Sequence, residues 1–215
     1  MTLTDSQRSK LDTSNDLLFY DAPRFVNHID TQFIRTLTDL YRDRLQPHTR
    51  ILDLMSSWVS HLPPEVEFTE VVGHGMNAEE LMRNPRLHRF HVQNLNQDQT
   101  LPYETNYFDA VLNTVSVQYL QYPERIFAEI HRILKPGGIV IVSFSNRMFY
   151  QKAIQAWRDG SDRDRLHLVA TYFQSVPQGF SKPEAVIQTP SLGARFWGSS
   201  SDPFYAVIAY EQSQP

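Results

Sequence analysis

Short apolar runs alternate with segments of helical periodicity along most of this chain. The clearest run, residues 139–144, is apolar at nearly every position and rich in β-branched side chains, as in a strand buried on both faces. Before it, the Lys-Pro-Gly-Gly sequence at residues 135–138 ends a helix and supplies a turn. Residues 108–112 predict another strand, and residues 123–134 predict a helix between the two strands. This strand, helix and strand form a βαβ unit, which indicates a parallel sheet covered by helices.

The same two periodicities predict the remaining elements. The other predicted strands are residues 50–55, 68–72, 91–93 and 204–210, and the other predicted helices are residues 16–45, 77–83 and 151–158. The helix at 77–83 begins with Asn77 as a plausible N-cap and Glu80 three residues later, a pattern similar to a capping box. Residues 1–15 are polar and predict a flexible tail.

The alternation of strands and helices predicts an α/β fold with a doubly wound, mostly parallel sheet. At 215 residues the chain is long enough for one such domain, which we expect to span residues 16–215. Ligands of these folds bind beyond the carboxyl ends of the strands. We therefore expect the functional residues in the loops that follow the first five strands.

Composition narrows the classes of partner. The chain has 20 Lys and Arg against 24 Asp and Glu, with a pI near 6.0, which does not favour nucleic acid as a partner. It has no cysteine, which excludes disulfides and thiolate chemistry. No run of 18 apolar residues is present, so we expect a cytoplasmic protein with no membrane partner, as a monomer or homodimer.

Two segments carry a family resemblance. Residues 108–112, Phe-Asp-Ala-Val-Leu, and residues 132–138, Arg-Ile-Leu-Lys-Pro-Gly-Gly, resemble the paired signature of class I S-adenosylmethionine-dependent methyltransferases of the type 11-like kind. The resemblance implies a Rossmann-like, seven-stranded sheet whose last strand, residues 204–210, runs antiparallel. It also implies S-adenosylmethionine as cofactor, a small-molecule substrate, and an N-terminal helical lid over residues 16–49.

The loop after the first strand departs most from the family pattern. Family members carry three glycines there, which let the backbone approach the cofactor closely. In this chain the three positions are held by Met55, Ser57 and Val59. Asp53 matches the family, whereas prolines at 63–64 leave a following helix room for one turn. The hydroxyls of Ser56 and Ser57 could hold the cofactor's carboxylate, or the loop could simply pack.

The loops after the second and third strands match the family in part. Gly75 stands where members have an acid that binds the ribose hydroxyls, so that carboxylate is missing. Met76 could cover the adenine or fill the core, and Asn77 could contact the cofactor or only cap a helix. Asn94, followed by Leu95, takes the place of an acid that binds the adenine amino group, and an amide oxygen can accept the same hydrogen bond.

The loop after the fourth strand supplies polar groups at the same edge. Thr114 is the expected cofactor contact there, and Tyr119 is either a positioning group or weak base, or a residue that caps the helical region. No catalytic residue beyond this weak candidate is predicted. The expected substrate contacts are Tyr20, Arg24, Ser116, Tyr119, Arg147 and Trp197.

Other chemistries find little support in the sequence. The eight histidines show no ligand spacing with an accompanying acid, so no metal site is predicted. A nucleophile elbow and a phosphate-binding loop are absent. The main hypothesis is methyl transfer from S-adenosylmethionine to an unidentified small molecule, and the competing one is a non-catalytic binding or scaffold protein that kept the fold and lost normal cofactor binding. A different ligand in the same crevice is compatible with either.

Overall fold

The computed structural model describes residues 3–189 and 201–212 and shows a seven-stranded sheet with helices on both faces. The strands are β1 (Arg50–Leu54), β2 (Glu70–Gly75), β3 (Arg89–Val92), β4 (Phe108–Thr114), β5 (Leu134–Phe144), β6 (Glu184–Gln188) and β7 (Phe204–Tyr210). The helices are α1 (Asp5–Arg8), α2 (Asp16–Phe19), α3 (Thr31–Arg44), α4 (Ala78–Arg83), α5 (Pro123–Ile133), α6 (Gln155–Arg158) and α7 (Asp162–Gln174).

The sheet has the strand order β3-β2-β1-β4-β5-β7-β6. Strands β1 to β5 pair in parallel, and β7 runs antiparallel to both of its neighbours, β5 and β6. The predicted fold class is therefore confirmed, including the antiparallel strand at Phe204–Tyr210. That residues 16–215 form one domain stays a prediction.

Successive residues of the central strands bury their side chains on opposite faces of the sheet. In β1, Leu52 belongs to one hydrophobic cluster and Ile51 to the other, and both are fully buried. Val140 and Ile141 of β5 divide in the same way. This alternation, with apolar residues at both positions, is the reason that the sequence of β5 reads as a continuous apolar run.

The Lys-Pro-Gly-Gly sequence lies within β5 as a bulge rather than as a turn before it. Helix α5 ends at Ile133 and β5 begins directly at Leu134. Leu134 pairs with Phe108 of β4, and the next pair is Ile139 with Ala110, so the residues between them on β5 form the bulge. Asp109 stabilises the bulge because its carboxylate accepts hydrogen bonds from Lys135 Nζ at 2.7 Å and from the Arg50 backbone at 2.8 Å. The strand predicted at 139–144 is thus longer at its N-terminal end.

The N-terminal half differs most from its predicted elements. The helix predicted over 16–45 is two helices, α2 and α3, and Asp30 caps the second by accepting from the Phe33 backbone at 2.8 Å. The sequence predicts a flexible tail before it, and the structure gives that segment buried contacts, with Arg8 paired to Glu124 at 2.7 Å. The helix predicted at 151–158 is shorter, and α7 and β6 were not predicted.

We predict that Gly137→Ala lowers the free energy of unfolding by about 1 kcal/mol, because Gly137 adopts a φ of 78° that a side chain disfavours. A Cβ there would meet no atom within 4 Å, so the loss reflects backbone conformation alone. Urea denaturation measures it. Gly137→Asn, which tolerates this conformation better, should lose less, and equal losses for the two variants would contradict the explanation.

Candidate functional site

A cavity of about 360 Å³ lies at the carboxyl ends of the parallel strands. The loops after β1, β2, β3, β4 and β5 all contribute to its walls, and residues 24–29 of the N-terminal segment close one side. Its volume is within the range of small-molecule sites. The sequence predicts ligand binding at this edge of the sheet.

The residues predicted to contact the cofactor all line this cavity. They are Asp53, Met55, Ser56, Ser57, Gly75, Met76, Asn77, Asn94, Leu95 and Thr114. Five of the predicted substrate contacts line it too: Tyr20, Arg24, Ser116, Tyr119 and Arg147. Trp197 lies outside the described residues. The structure thus brings together five loops and part of the N-terminal segment, which are distant in sequence, while the role of each residue stays a prediction.

The loop after β1 is fixed to the end of β2. The Ser56 backbone donates a hydrogen bond to the His74 carbonyl at 2.6 Å, and a Cβ placed on Gly75 would lie 2.5 Å from the Ser56 carbonyl oxygen. No side chain can therefore stand at position 75 without moving the loop. This contact leaves no room at position 75 for the acid expected from the family.

Three residues with side chains adopt left-handed backbone conformations at the cavity, among them His61 with a φ of 52°. Met55 follows β1 with a φ of 61°, and Val115 follows β4 with a φ of 50°. The conformation is especially unfavourable for Val115, because its side chain is β-branched. Strain of this kind costs on the order of 1–3 kcal/mol per residue and concentrates at functional sites.

Glu80 is a buried acid that the sequence did not assign to the site. It lies in the first turn of α4, is 7% exposed and lines the cavity. Its carboxylate accepts hydrogen bonds from Ser57 Oγ at 2.6 Å and from the Arg24 backbone at 2.7 Å. The capping-box spacing drew attention to Glu80 only as a helix signal, because its bond to Arg24 joins residues far apart in sequence.

Asn77 and Asn94 both use their side chains within the protein. Asn77 is confirmed as the N-cap of α4, accepting from the Glu80 backbone at 3.0 Å, and its amide nitrogen donates to the Tyr20 carbonyl at 2.8 Å. The Asn94 side-chain oxygen accepts from the Asn96 backbone at 2.9 Å. Asn77 therefore joins α4 to the N-terminal segment.

Asp53 carries a buried carboxyl group without a cationic partner. It is 4% exposed, accepts a hydrogen bond from Ser56 Oγ at 2.6 Å, and forms no ion pair within 4 Å among the described residues. Burial raises the pKa of Asp53 to about 6, and the Ser56 and Ser60 hydroxyls partly offset this rise. At neutral pH the cavity thus contains a largely uncompensated negative charge.

Several cavity residues hold buried polar atoms without a hydrogen-bond partner in the described protein. These atoms are both ring nitrogens of His74, Gln93 Oε1, Ser116 Oγ and Arg24 Nη1. The nearby side chain of Gln93 acts to raise the pKa of His74, against the larger lowering by burial. The two side chains are nevertheless not joined by a hydrogen bond of normal geometry. Buried polar groups are rarely left unpaired, so these atoms are available to hydrogen-bond a polar ligand in the cavity.

Aromatic rings gather around Phe149, on the side of the cavity that the predicted substrate contacts line. The centroid of its ring lies 5.1 Å from that of His28 and 6.0 Å from that of Tyr119. The Tyr119 hydroxyl accepts a hydrogen bond from the Phe149 backbone at 2.8 Å. Burial raises the pKa of Tyr119, which favours a protonated, positioning hydroxyl over a general base.

A buried cluster of charges holds the N-terminal segment in place. Lys152 is fully buried, and its Nζ lies 3.1 Å from Asp12 and 3.3 Å from Asp16. Asp16 also pairs with Lys10 at 2.7 Å and accepts from the Asn96 side chain at 2.9 Å. Because Lys10, Asp16 and Asn96 line the cavity, this cluster sets the position of its wall. The sequence offers no local signal for it.

Three of the histidines, His28, His61 and His74, line the cavity. Burial lowers the pKa of His61 and of His74 to about 4, so both rings are neutral at pH 7. Across residues 3–189 and 201–212, no group of three or more His, Asp or Glu is placed to hold a metal ion. Within those same ranges, no helix has the length and hydrophobicity to cross a membrane.

Comparison with known proteins finds similarity to methyltransferases. A family model described as a methyltransferase domain matches residues 66–142, about a third of the chain. A curated relative, the malonyl-[acyl-carrier protein] O-methyltransferase of Marinomonas sp. (strain MWYL1), is 23% identical over 122 residues, which is 48% of this chain. The chain spans 45% of that relative's length.

Solved structures share the fold at low identity. The [4+2]-cyclase SpnF is 17% identical with a TM-score of 0.59, over 83% of this chain and 81% of that one. Phosphoethanolamine N-methyltransferase 2 of Haemonchus contortus, in complex with S-adenosyl-L-methionine, is 15% identical with a TM-score of 0.57, over 83% of this chain and 52% of that one. The chain resembles the class I methyltransferases. The match to the family model begins at residue 66, so it does not include the loop after β1, which lacks the three glycines.

We predict that Gly75→Ala lowers the free energy of unfolding by about 1–3 kcal/mol, because its Cβ would overlap the Ser56 carbonyl oxygen. Chemical denaturation measures the change. Gly160→Ala is the matched control, since its Cβ would come no closer than 3.1 Å to any neighbouring atom, and it should lose less. A Gly75→Ala protein as stable as the wild type would show that the loop moves freely.

We predict that Asp53→Asn stabilises the unliganded protein at pH 7.5, by on the order of 1–3 kcal/mol. A carboxyl whose folded pKa is about 6 binds its proton more tightly than in the unfolded chain, so stability falls as pH rises from about 4 to 6. The difference between variant and wild type should vanish at pH 4. Denaturation at both pH values tests this, and a pH-independent difference would contradict it.

Proposed function

We propose that this protein transfers a methyl group from S-adenosylmethionine to a small molecule. The observation that carries the proposal is the convergence of all ten positions that the resemblance assigns to the cofactor on one cavity. They come from four loops, and chance would not bring so many to one site. The family match and the fold of the solved neighbours support the same function.

The polar character of the cavity suits this cofactor. Asn94, Leu95 and Met76 would hold its adenine, and the hydroxyls of Ser56 and Ser57 would face its polar groups. Glu80 would supply the acid that position 75 cannot carry, since its carboxylate lies in the same cavity. S-adenosylmethionine, when bound, provides a methyl group on a positively charged sulfonium. The buried charge of Asp53 favours a cationic ligand at neutral pH.

In such a reaction the residues of this chain would act by positioning the two reactants. Direct displacement needs the acceptor atom in line with the methyl carbon and the sulfur, and fixed geometry alone can supply much of the rate. Here the N-terminal segment, held by Lys152 and by Asn77, closes one side of the cavity and limits the access of water. Tyr119 and Ser116, which line the cavity, would orient the acceptor.

One observation favours the alternative of a non-catalytic protein. The Ser56 carbonyl occupies the space in front of Gly75, where family members place an acid, and the family match leaves this loop out. One solved neighbour of the same fold is named as a cyclase rather than as a methyltransferase. The fold alone therefore does not decide the reaction.

Isothermal titration with S-adenosylmethionine and S-adenosylhomocysteine tests the proposal. We expect both to bind, and we expect Glu80→Gln to raise their dissociation constants about tenfold, because a charge-assisted hydrogen bond is lost. Glu79→Gln is the matched control, since Glu79 lies on the same helix, is half exposed and pairs with Arg83 outside the cavity. No binding to the wild type at ~1 mM ligand would favour the non-catalytic alternative.

A further inference from the structure

Arg24 places a cationic group at the cavity wall in an aromatic setting. Its Cζ lies 4.7 Å from the ring centroid of Phe19, 5.7 Å from that of Tyr20 and 5.5 Å from that of Phe149. Its Nη2 donates to the Phe19 carbonyl at 2.8 Å. Stacking on three rings and one hydrogen bond fix the guanidinium without neutralising its charge.

The guanidinium of Arg24 lacks a counter-charge in the described part of the chain. It forms no ion pair within 4 Å there, and its Nη1 is buried without an acceptor. The other cationic side chains at the cavity are paired: Lys10 with Asp16 at 2.7 Å, and Arg147 with Asp202 at 2.8 Å. A rigid, unpaired guanidinium next to a cavity is suited to bind a carboxylate.

The surroundings of Arg24 fit the rest of such a ligand. Tyr20, Tyr119 and Phe149 offer ring surface to a carbon skeleton, and all three line the cavity. The Tyr119 hydroxyl accepts from the Phe149 backbone, which leaves its own proton free to donate. Ser116 Oγ lies in the same cavity without a partner. Hydrogen-bond donors and an apolar wall thus occur together on this side.

We propose that the methyl acceptor is a small carboxylic acid whose carboxylate binds Arg24 while its carbon skeleton packs on the rings of Tyr20, Tyr119 and Phe149. This inference rests on the function proposed above. One guanidinium matches the single charge of a carboxylate, whereas a phosphate dianion would keep a second charge without a partner.

Calorimetric titration of the full chain, saturated with S-adenosylhomocysteine, tests the proposal with matched probes. These are phenylacetate and hexanoate, their amides phenylacetamide and hexanamide, and phenyl phosphate. We expect at least one of the acids to bind the wild type, and we expect about tenfold weaker binding of the corresponding amide. Failure of both acids to bind at ~10 mM, equal binding of acid and amide, or tighter binding of phenyl phosphate would overturn the proposal.

Variants separate the role of Arg24 from a structural one. Arg24→Gln should weaken acid binding about tenfold and leave S-adenosylhomocysteine binding unchanged, and Arg24→Lys should restore part of the loss. Arg83→Gln is the matched control, because Arg83 also stacks on a ring, that of Phe25 at 4.2 Å, but lies outside the cavity. If Arg24→Gln weakens S-adenosylhomocysteine binding instead, Arg24 holds the cofactor and the proposal fails.

The experiment also distinguishes failure of this inference from failure of the proposed function. If the wild type does not bind S-adenosylhomocysteine, the methyl-transfer proposal falls, and the acids are titrated into the unliganded protein. Acid binding that depends on Arg24 would then still support the carboxylate site. Circular dichroism and thermal melting of each variant confirm that a loss of binding does not reflect unfolding.

Discussion

Burial of the central strands on both faces is the constraint on which the rest of this structure depends. Because β1, β4 and β5 are covered by helices on each side, the central residues of these strands are apolar. Polar chemistry is then confined to the places where these strands end. The cavity forms there, and the loops after five strands meet at it although they are far apart in sequence.

The same constraint explains how much of the fold the sequence could predict. Strands buried on both faces leave a strong apolar signal, so Phe204–Tyr210 was placed correctly and the ends of β1 and β4 nearly so. Strand β6 was missed because it lies at the edge of the sheet and four of its five residues are exposed, which leaves no periodic apolar pattern. The bulge in β5 was mistaken for a turn, since Asp109 stabilises it from another strand.

The candidate site, like the fold, could be predicted only in part. Its loop positions could be predicted from their order along the chain, but the contacts among them could not. In the sequence, Gly75 looks like the loss of the family's acid. In the structure the Ser56 carbonyl, in the loop after β1, lies so close that only glycine fits at position 75. Glu80 joins the cavity through Ser57 and Arg24, both distant in sequence. The changed loop after β1 and the missing acid at position 75 look independent in the sequence. In the structure they are coupled, because the Ser56 carbonyl occupies the space that a side chain at position 75 would need.

The cavity collects features that do not stabilise the folded chain. Asp53 is buried without a cation, Arg24 is fixed without an anion, and His74 has no hydrogen-bond partner of normal geometry among the described residues. Val115 adds a strained backbone at the same place. The buried polar groups cost free energy that apolar replacements would recover, and the backbone of Val115 costs free energy that a glycine would recover. Elsewhere the described chain pairs buried charges, as at Lys152. At this end of the sheet a bound ligand would supply the missing partners, so the unfavourable contacts point to the same cavity as the predicted site residues.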